Sequence, residues 1–233
     1  MDSIIIIPAR GGSKTVPRKN LKNINGKPLI AYAIETAKKT RTKGYVVVST
    51  DDQEIANVSQ NYGANIIERP SELAKDEISL PAVIKHAKES LESDGILADR
   101  YISLQPTAPL VSVKSLGDAI SLHKELGCDS LVSIKLVTHG HPYRIKKFDD
   151  SNFKISSFLD VDVFKYPQKQ DLPPCYMSTG GFTIRRRKLF GNSDEFYLGN
   201  DIRGFLLPET ESLDIDTKED LNYFKYLINR DHS

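Results

Sequence analysis

Continuous apolar runs bounded by turn residues recur along the chain and indicate strands that are buried on both faces. Between these runs the apolar residues return at helical spacing, as in Ile30, Ala33, Ile34 and Ala37. The resulting β-α-β order predicts an α/β fold with a mostly parallel sheet flanked by helices, which binds ligands beyond the carboxyl ends of its strands. The predicted strands of this part are residues 4–7, 45–49, 65–67, 101–104 and 131–135.

The alternating order breaks over residues 138–175, where short mixed pieces precede the proline-rich "YPQKQDLPPCY". This break predicts a hairpin-like arm inserted into one domain that spans residues 1–233. Apolar strands resume at residues 181–184 and 204–207. Thr217 and Asp220 have capping-box spacing and predict a final helix, whose inner face is Leu221, Phe224 and Ile228.

Composition narrows the function classes. The chain has 233 residues, 39% hydrophobic and 27% charged, which is typical of one large α/β domain. Its net charge of +1 provides no overall field for nucleic acid or an anionic membrane, so we expect neither as a partner. Cys128 and Cys175 match no zinc or redox spacing, and residues 4–7 are too short for a signal peptide or a membrane span. We therefore expect a cytoplasmic protein with reduced thiols.

The segment "ARGGSKTVPRKN" follows the first predicted strand and predicts an anion-binding loop. Its glycines allow backbone N–H groups to converge on a phosphate without obstruction by side chains. The segment has neither the P-loop pattern nor the dinucleotide fingerprint, and a plain solvated turn is the alternative. The residues that provide the N–H groups and the positive charge are Arg10, Gly11, Gly12, Ser13, Lys14, Arg18 and Lys19.

Several segments together resemble the acylneuraminate cytidylyltransferases. They are "IPARGGSKTVPRKN" with "GKPLIAYAIETA", then "VVVSTDDQEIA", "ERPSELAKD", "SLQPTAPL" and "SLDIDTKEDL", in the order of that family and over most of the chain except the arm. The resemblance implies a Rossmann-like, GT-A-like nucleotidyltransferase fold and a homodimer formed through the arm. It also implies a reaction in which the anomeric hydroxyl of a nonulosonic (sialic-type) acid attacks the α-phosphate of CTP, with Mg²⁺ as cofactor and pyrophosphate as the leaving group.

The resemblance also assigns roles to single residues. Arg10, Lys19, Asp214 and Asp216 fall on catalytic positions, and the two aspartates are also the metal ligands. Nucleotide-binding positions are Arg10, Gly11, Ser13, Lys19, Asn20, Arg69 and Ser79, and sugar-binding positions are Gln105, Arg144, Met177 and Thr179. Arg144 lies in the arm and is expected to reach the substrate carboxylate in the partner's site.

The residue types support two of these assignments independently. Asp214 and Asp216 would project to the same side of an extended segment, where paired carboxylates suit Mg²⁺, although an acidic cap of the last helix is the alternative. Gln105 follows a predicted strand and offers both a donor and an acceptor to a sugar, although it could be a solvated turn residue. The pair His139 and His141 has too few ligands to predict a zinc site.

Other functions fit the sequence less well. Octulosonate-activating relatives typically open with an Ala-Ser-Thr type of loop, whereas this chain has "RGGSK". A related enzyme for another sugar or sugar phosphate and a non-catalytic nucleotide-binding regulator remain alternatives. A regulator would not need Lys19 together with Asp214 and Asp216. An oxidoreductase would need the dinucleotide fingerprint that the loop lacks.

One departure from the family pattern bears on the sugar. Many sialic acid members have an Arg two residues before an Asn that precedes Gly, whereas here "CYMSTGG" aligns Met177 and Thr179 with those positions. An apolar wall leaves a sugar hydroxyl unpaired but accepts a methyl group. The sequence therefore predicts a preference for a 9-deoxy diamino nonulosonic acid, of the legionaminic or pseudaminic type, over N-acetylneuraminic acid.

Overall fold

A computed structural model of the chain describes residues 1–40, 45–192, 194 and 196–230. Its strands are β1 (Ser3–Pro8), β2 (Asn23–Ile24), β3 (Lys27–Pro28), β4 (Tyr45–Thr50), β5 (Asn65–Glu68), β6 (Arg100–Leu104), β7 (Ser130–Leu136), β8 (Lys146–Asp149), β9 (Lys154–Ser157), β10 (Tyr176–Arg186) and β11 (Ile202–Leu206). Its α-helices are α1 (Leu29–Lys39), α2 (Gln53–Asn61), α3 (Leu80–Ser93), α4 (Val113–Leu126) and α5 (Lys218–Arg230). None of the helices in the described ranges is long and apolar enough to cross a lipid bilayer.

The main sheet has the strand order β11-β7-β10-β6-β1-β4-β5. All neighbouring pairs are parallel except those of β10, which runs antiparallel to both β6 and β7. The mostly parallel sheet flanked by helices is therefore confirmed. Because β1, β4 and β6 are parallel, their carboxyl ends lie along one edge, and the loops that leave this edge form the site described below.

The four isoleucines of β1 explain the uninterrupted apolar run. Ile5 and Ile7 belong to the core that contains residues of α1 and α4, whereas Ile4 and Ile6 pack with residues of α3 on the opposite face. All four are fully buried. Side chains alternate across a strand, so a strand covered on both faces must be apolar at every position. Thr217 and Asp220 form the predicted cap of α5 through reciprocal hydrogen bonds between their side chains and backbone N–H groups.

The short strands β2 and β3 were not predicted, and the structure differs from the strand and helix predictions at three further elements. Helix α2 was not predicted, because its periodic residues are few and interrupted by Gln, Asn and Ser. Strand β10 begins at Tyr176 rather than at residue 181, because its first half contains polar residues and two glycines, a composition typical of a loop. Strand β11 covers Ile202–Leu206 rather than residues 204–207.

Between β7 and β10 lies the arm predicted from the break in the pattern. Strands β8 and β9 pair as an antiparallel hairpin that is separate from the main sheet. Large apolar side chains of the arm are exposed to solvent, and they include Phe148, Phe153, Ile155, Phe158 and Phe164. The arm therefore exposes apolar surface of the kind that usually marks a contact site.

Candidate active site

A cavity of about 260 Å³ lies at the carboxyl edge of the sheet. Four separate segments line it: the loop after β1, the residue after β5, the start of α3 with the turn before it, and the loop after β6. It brings together six residues with predicted site roles, Arg10, Ser13, Lys19, Asn20, Arg69 and Gln105, and adds Gly12, Lys75, Asp76 and Thr107.

The cations of the loop after β1 divide into two groups. Arg10 and Lys14 both form ion pairs with Asp76, at 2.7 Å each. The hydrogen bond from Lys14, followed by the one from Arg10, lowers the pKa of the Asp76 carboxyl. Arg18 instead pairs with Asp52 and Glu54 and does not line the cavity. Arg10 is therefore held at the cavity wall, whereas Arg18 ties the loop to the start of α2.

Lys19 joins the first loop to the segment before α5. Its Nζ donates a hydrogen bond to the carbonyl oxygen of Ile215 and lies 3.6 Å from Asp216 Oδ1. Thr15 provides a second tie to the same segment, because its hydroxyl donates to the Asp216 carbonyl oxygen at 2.6 Å. The Lys19 side chain is only 12% exposed. Its charge is therefore fixed beside the predicted metal carboxylates.

Asn20 is a buried residue that bonds the two ends of the loop after β1. Its Nδ2 donates to the Arg10 carbonyl oxygen at 3.1 Å, while its Oδ1 is buried and has no hydrogen-bond partner among the described residues. A buried acceptor without a donor is costly unless a ligand provides one. Because Asn20 lines the cavity, this oxygen fits its predicted role in nucleotide binding.

Asp214 and Asp216 occupy unequal positions at the sheet edge. Asp214 accepts a side-chain hydrogen bond from Thr107, and its Oδ1 is buried without a partner in the described part of the chain. Burial raises the pKa of Asp214, and the neighbouring Asp216 carboxylate raises it further. The Asp216 side chain is 74% exposed. A buried carboxylate oxygen that lacks a donor fits a ligand of Mg²⁺.

Residues other than Asp214 and Asp216 cap the last helix. Asp220 Oδ2 accepts from the backbone N–H groups of Asp216 and Thr217, at 3.0 and 2.8 Å. The Thr217 hydroxyl in turn accepts from the Asp220 N–H at 3.1 Å. The start of α5 is thus capped by Thr217 and Asp220, which leaves the carboxylates of Asp214 and Asp216 available for a ligand.

Arg69 is a buried cation at the cavity wall. Its Nη2 donates to the Ser49 carbonyl oxygen at 2.6 Å, and its Nε lies 3.3 Å from the Ser49 hydroxyl. Burial lowers the pKa of Arg69 to about 10, against the opposing effect of Asp51. An anion at the cavity would compensate this desolvation, which fits the predicted nucleotide-binding role.

Gln105 lies where the loop after β6 meets β10. Its Nε2 donates to the Ser103 hydroxyl at 2.7 Å, and its backbone N–H donates to the Gly181 carbonyl oxygen at 2.9 Å. These two bonds fix both the backbone and the amide group. The side chain lines the cavity and can offer its Oε1 to a sugar.

Seven predicted site residues do not line this cavity. Two of them, Asp214 and Asp216, lie next to it, because Thr107 and Lys19 of its wall contact them. The N–H of Gly11 donates to Asp51 Oδ1, and the residue must be glycine because a Cβ would lie 2.6 Å from Asp52 Oδ2. The Ser79 hydroxyl accepts from the Ala82 N–H as the N-cap of α3.

The other three belong to the arm side of the sheet. Arg144 lines a separate cavity of about 700 Å³ at the base of the arm, together with His139 and His141, and donates to the Tyr166 carbonyl oxygen. Met177 lines a third cavity of about 440 Å³. The Thr179 hydroxyl is buried against Ser133. These three predicted sugar-binding residues therefore do not line the cavity at the carboxyl edge of the sheet.

Sequence reasoning missed two residues that shape the site. Asp76 lies in the quoted segment "ERPSELAKD", but an acidic residue is not an expected partner for a phosphate site. Thr107 lies in "SLQPTAPL", and its position two residues after Gln105 was its only signal. The contacts of both residues depend on tertiary structure, so no local pattern reveals them.

Cations at a cavity wall, a half-buried carboxylate beside them and a mostly parallel sheet are together typical of a nucleotidyltransferase site. The chain matches the cytidylyltransferase family over residues 4–225 and belongs to that family. It is 34% identical to the pseudaminic acid cytidylyltransferase of Campylobacter jejuni, over 100% of this chain and 98% of that protein. It is 32% identical to the N-acylneuraminate cytidylyltransferase of Escherichia coli, over 93% of this chain and 50% of that protein. The solved CMP:2-keto-3-deoxy-manno-octonic acid synthetase complexed with CTP has the same fold, with a TM-score of 0.73 at 20% identity, and the match covers 99% of this chain and 100% of that one.

Proposed function

We propose that this chain transfers the cytidylyl group of CTP to the anomeric hydroxyl of a nonulosonic acid. The hydroxyl oxygen forms a bond to the α-phosphorus, and the hydroxyl proton passes to solvent. The bond from the α-phosphorus to the oxygen shared with the β-phosphate breaks, and pyrophosphate leaves with that oxygen. The observation that carries the proposal is the position of Lys19, which lines the cavity and lies 3.6 Å from Asp216. The similarity to CMP-nonulosonate-forming enzymes over the whole chain supports the choice of substrates.

The side chains suit a reaction in which negative charge must be neutralised. Arg10 and Lys19 are held at the cavity wall, where they can pair with triphosphate oxygens. The unpaired Asn20 Oδ1 can accept from an amino group of the nucleotide. Gln105 can orient the sugar from the other side of the cavity. A reaction that consumes CTP belongs where the nucleotide pool is, so we place the enzyme in the cytoplasm.

Asp214 and Asp216 are the residues that would hold Mg²⁺. The buried, unpartnered Oδ1 of Asp214 is the observation that favours this ligand. When bound, Mg²⁺ would supply positive charge to the phosphate oxygens. Asp214 would be held in place by Thr107, and Asp216 by the Asp220 side chain that accepts from its backbone N–H.

A nucleotide panel tests the proposed reaction and the choice of sugar together. We expect pyrophosphate release with CTP, Mg²⁺ and a nonulosonic acid, and none when ATP, GTP or UTP replaces CTP. Release with an octulosonate or a sugar 1-phosphate instead would identify a related transferase. Nucleotide binding without turnover on any sugar would identify a regulator.

Within that panel we expect a higher kcat/KM for a 9-deoxy diamino nonulosonic acid than for N-acetylneuraminic acid. The reason is Met177, which is half exposed and lines its cavity together with Val137, Leu206 and Leu207. The apolar part of this wall, which also contains Lys135, His139 and Glu209, accepts a methyl-bearing tail better than a hydroxyl-rich one. The check is the kcat/KM ratio with CTP saturating, and a ratio about tenfold or more in favour of N-acetylneuraminic acid contradicts the expectation.

The arm is proposed to form a two-fold homodimer in which Arg144 of each subunit contributes to the partner's sugar site. Support comes from the exposed phenylalanines of the arm, among them Phe153 and Phe164, which are 80% and 90% exposed. An isologous contact would cover the same apolar segment in both subunits at once. The position of Arg144 away from the nucleotide cavity of its own subunit is consistent with this arrangement.

Removing the exposed arm aromatics should separate the subunits. We expect the wild type to sediment as a dimer at micromolar concentration and the double variant Phe153→Ser with Phe164→Ser to sediment as a monomer that still binds CTP. The matched control replaces the exposed, stacked pair Tyr223 and Tyr226 of α5 by serine and should remain dimeric. A wild type that sediments as a monomer contradicts the proposed dimer.

A further inference from the structure

Strand β10 contains a large bulge opposite a single serine. Ser178 pairs with Ile134 of β7, but Thr183 pairs with Val132. Four residues of β10, 179–182, therefore lie opposite one residue of β7, Ser133. The chain must therefore pucker out of the sheet at this point, as bulges do. Bulges of this kind often place backbone next to a functional site.

The Ser133 side chain lies inside this bulge and bonds several of its groups. Its Oγ accepts from the Phe182 N–H at 3.0 Å and lies 3.0 Å from the Phe182 carbonyl oxygen, to which it can donate. It is also 2.7 Å from the Thr179 hydroxyl, which itself accepts from the Gly181 N–H at 3.1 Å. Ser133 is fully buried. The two hydroxyl groups therefore replace the ladder bonds that the bulge interrupts.

The bulge touches the site at two points. Gly180 has a φ of +71°, and a Cβ there would lie 2.8 Å from Asp214 Oδ2. The Gly181 carbonyl oxygen accepts from the backbone N–H of Gln105 at 2.9 Å. One backbone segment thus fixes the space beside the buried carboxylate and also holds the segment that carries the predicted sugar ligand.

We infer that Ser133 is a positioning residue, which acts with Thr179 through the bulge to fix Asp214 and Gln105. The inference rests on the proposed function, because it assigns Asp214 and Gln105 the roles given above. Ser133 does not line the nucleotide cavity. Its loss should therefore reduce turnover while the affinity for the nucleotide stays unchanged.

The test compares Ser133→Ala and Thr179→Val with two matched controls. Ser130→Ala removes an equally buried hydroxyl of the same strand that has no hydrogen-bond partner among the described residues. Thr179→Ser keeps the hydroxyl that bonds Ser133 and the Gly181 N–H, so it should lose much less activity than Thr179→Val. We expect kcat to fall roughly 10- to 100-fold in the two test variants, with KM for CTP within about twofold of wild type and Ser130→Ala near wild type.

Amide hydrogen exchange at Gln105 provides a readout that does not depend on catalysis. We expect faster exchange in Ser133→Ala than in Ser130→Ala, because the acceptor at Gly181 is no longer fixed. Equal exchange and equal kcat in folded Ser133→Ala and Ser130→Ala overturn the inference. A wild type without pyrophosphate release refutes the proposed function instead, and the exchange comparison still decides whether Ser133 holds the bulge.

Discussion

Replacing Lys19 by alanine should lower turnover at least ~100-fold while the circular dichroism spectrum stays native. Its ammonium group lies 3.6 Å from Asp216 Oδ1 and its side chain is 12% exposed, so it is a preorganised cation with little freedom. Loss of such a group beside developing phosphoryl charge typically costs about 3 kcal/mol or more. The measurement is kcat and kcat/KM for CTP at saturating sugar.

Two controls separate the charge of Lys19 from its role as a tether. Thr15→Val removes the other tie to the same backbone segment and leaves the cation, so its kcat should fall much less. Lys22→Ala removes an exposed cation three residues after Lys19 and should leave kcat unchanged. A folded Lys19→Ala protein with turnover close to wild type would exclude Lys19 from the mechanism.

The second large effect is expected at the carboxylates. Asp214→Asn keeps the shape of the side chain but removes the anion, so the Mg²⁺ concentration for half-maximal activity should rise about tenfold or more and the maximal rate should fall. Asp216→Asn should have the same but a weaker effect, because the Asp216 side chain is exposed and water can replace it more easily as a ligand. The measurement is the initial rate as a function of Mg²⁺ concentration at fixed CTP.

The matched control is Glu219→Gln, which removes an exposed carboxylate from the first turn of α5. It changes the net charge by the same amount and should leave the Mg²⁺ dependence as it is in the wild type. If neither aspartate variant changes the metal dependence, the pair is not a metal site. A role of Asp214 and Asp216 in capping α5 would not follow from that result either, because Thr217 and Asp220 already cap this helix.

The alternation of strands and helices could be predicted, because a strand buried on both faces has an uninterrupted apolar sequence. The isoleucines of β1 carry this pattern without interruption, and Ser112 and Gly127 mark the ends of α4. Helix α2 could not be predicted in the same way. It buries only Ile55, Ala56 and Ser59, so tertiary packing rather than a broad apolar face holds it in place.

Part of the site could also be predicted from local sequence. Glycines and cations after a strand are a local signal, and the resemblance to the family pointed to Lys19 and Asp214. The partners of these residues were not predictable, because they come from distant segments. Asp76 pairs with Arg10, and Asp51 takes the N–H of Gly11 that the sequence assigned to phosphate. The long bulge of β10 was also hidden, since polar residues and glycines before residue 181 are typical of a loop.

The ties from Lys19 to Ile215 and from Thr15 to Asp216 span 196 and 201 residues of sequence. The ribosome therefore synthesises the loop after β1 long before the backbone segment to which this loop is bonded. At ~5–20 residues per second the delay is roughly 10 to 40 s. During this interval the nascent chain can already form β1 and α1, but the cation of Lys19 has no fixed position. This edge of the sheet is thus completed only after residue 216 has been synthesised, and a nascent chain halted before residue 214 would have most of the sheet but no fixed position for Lys19.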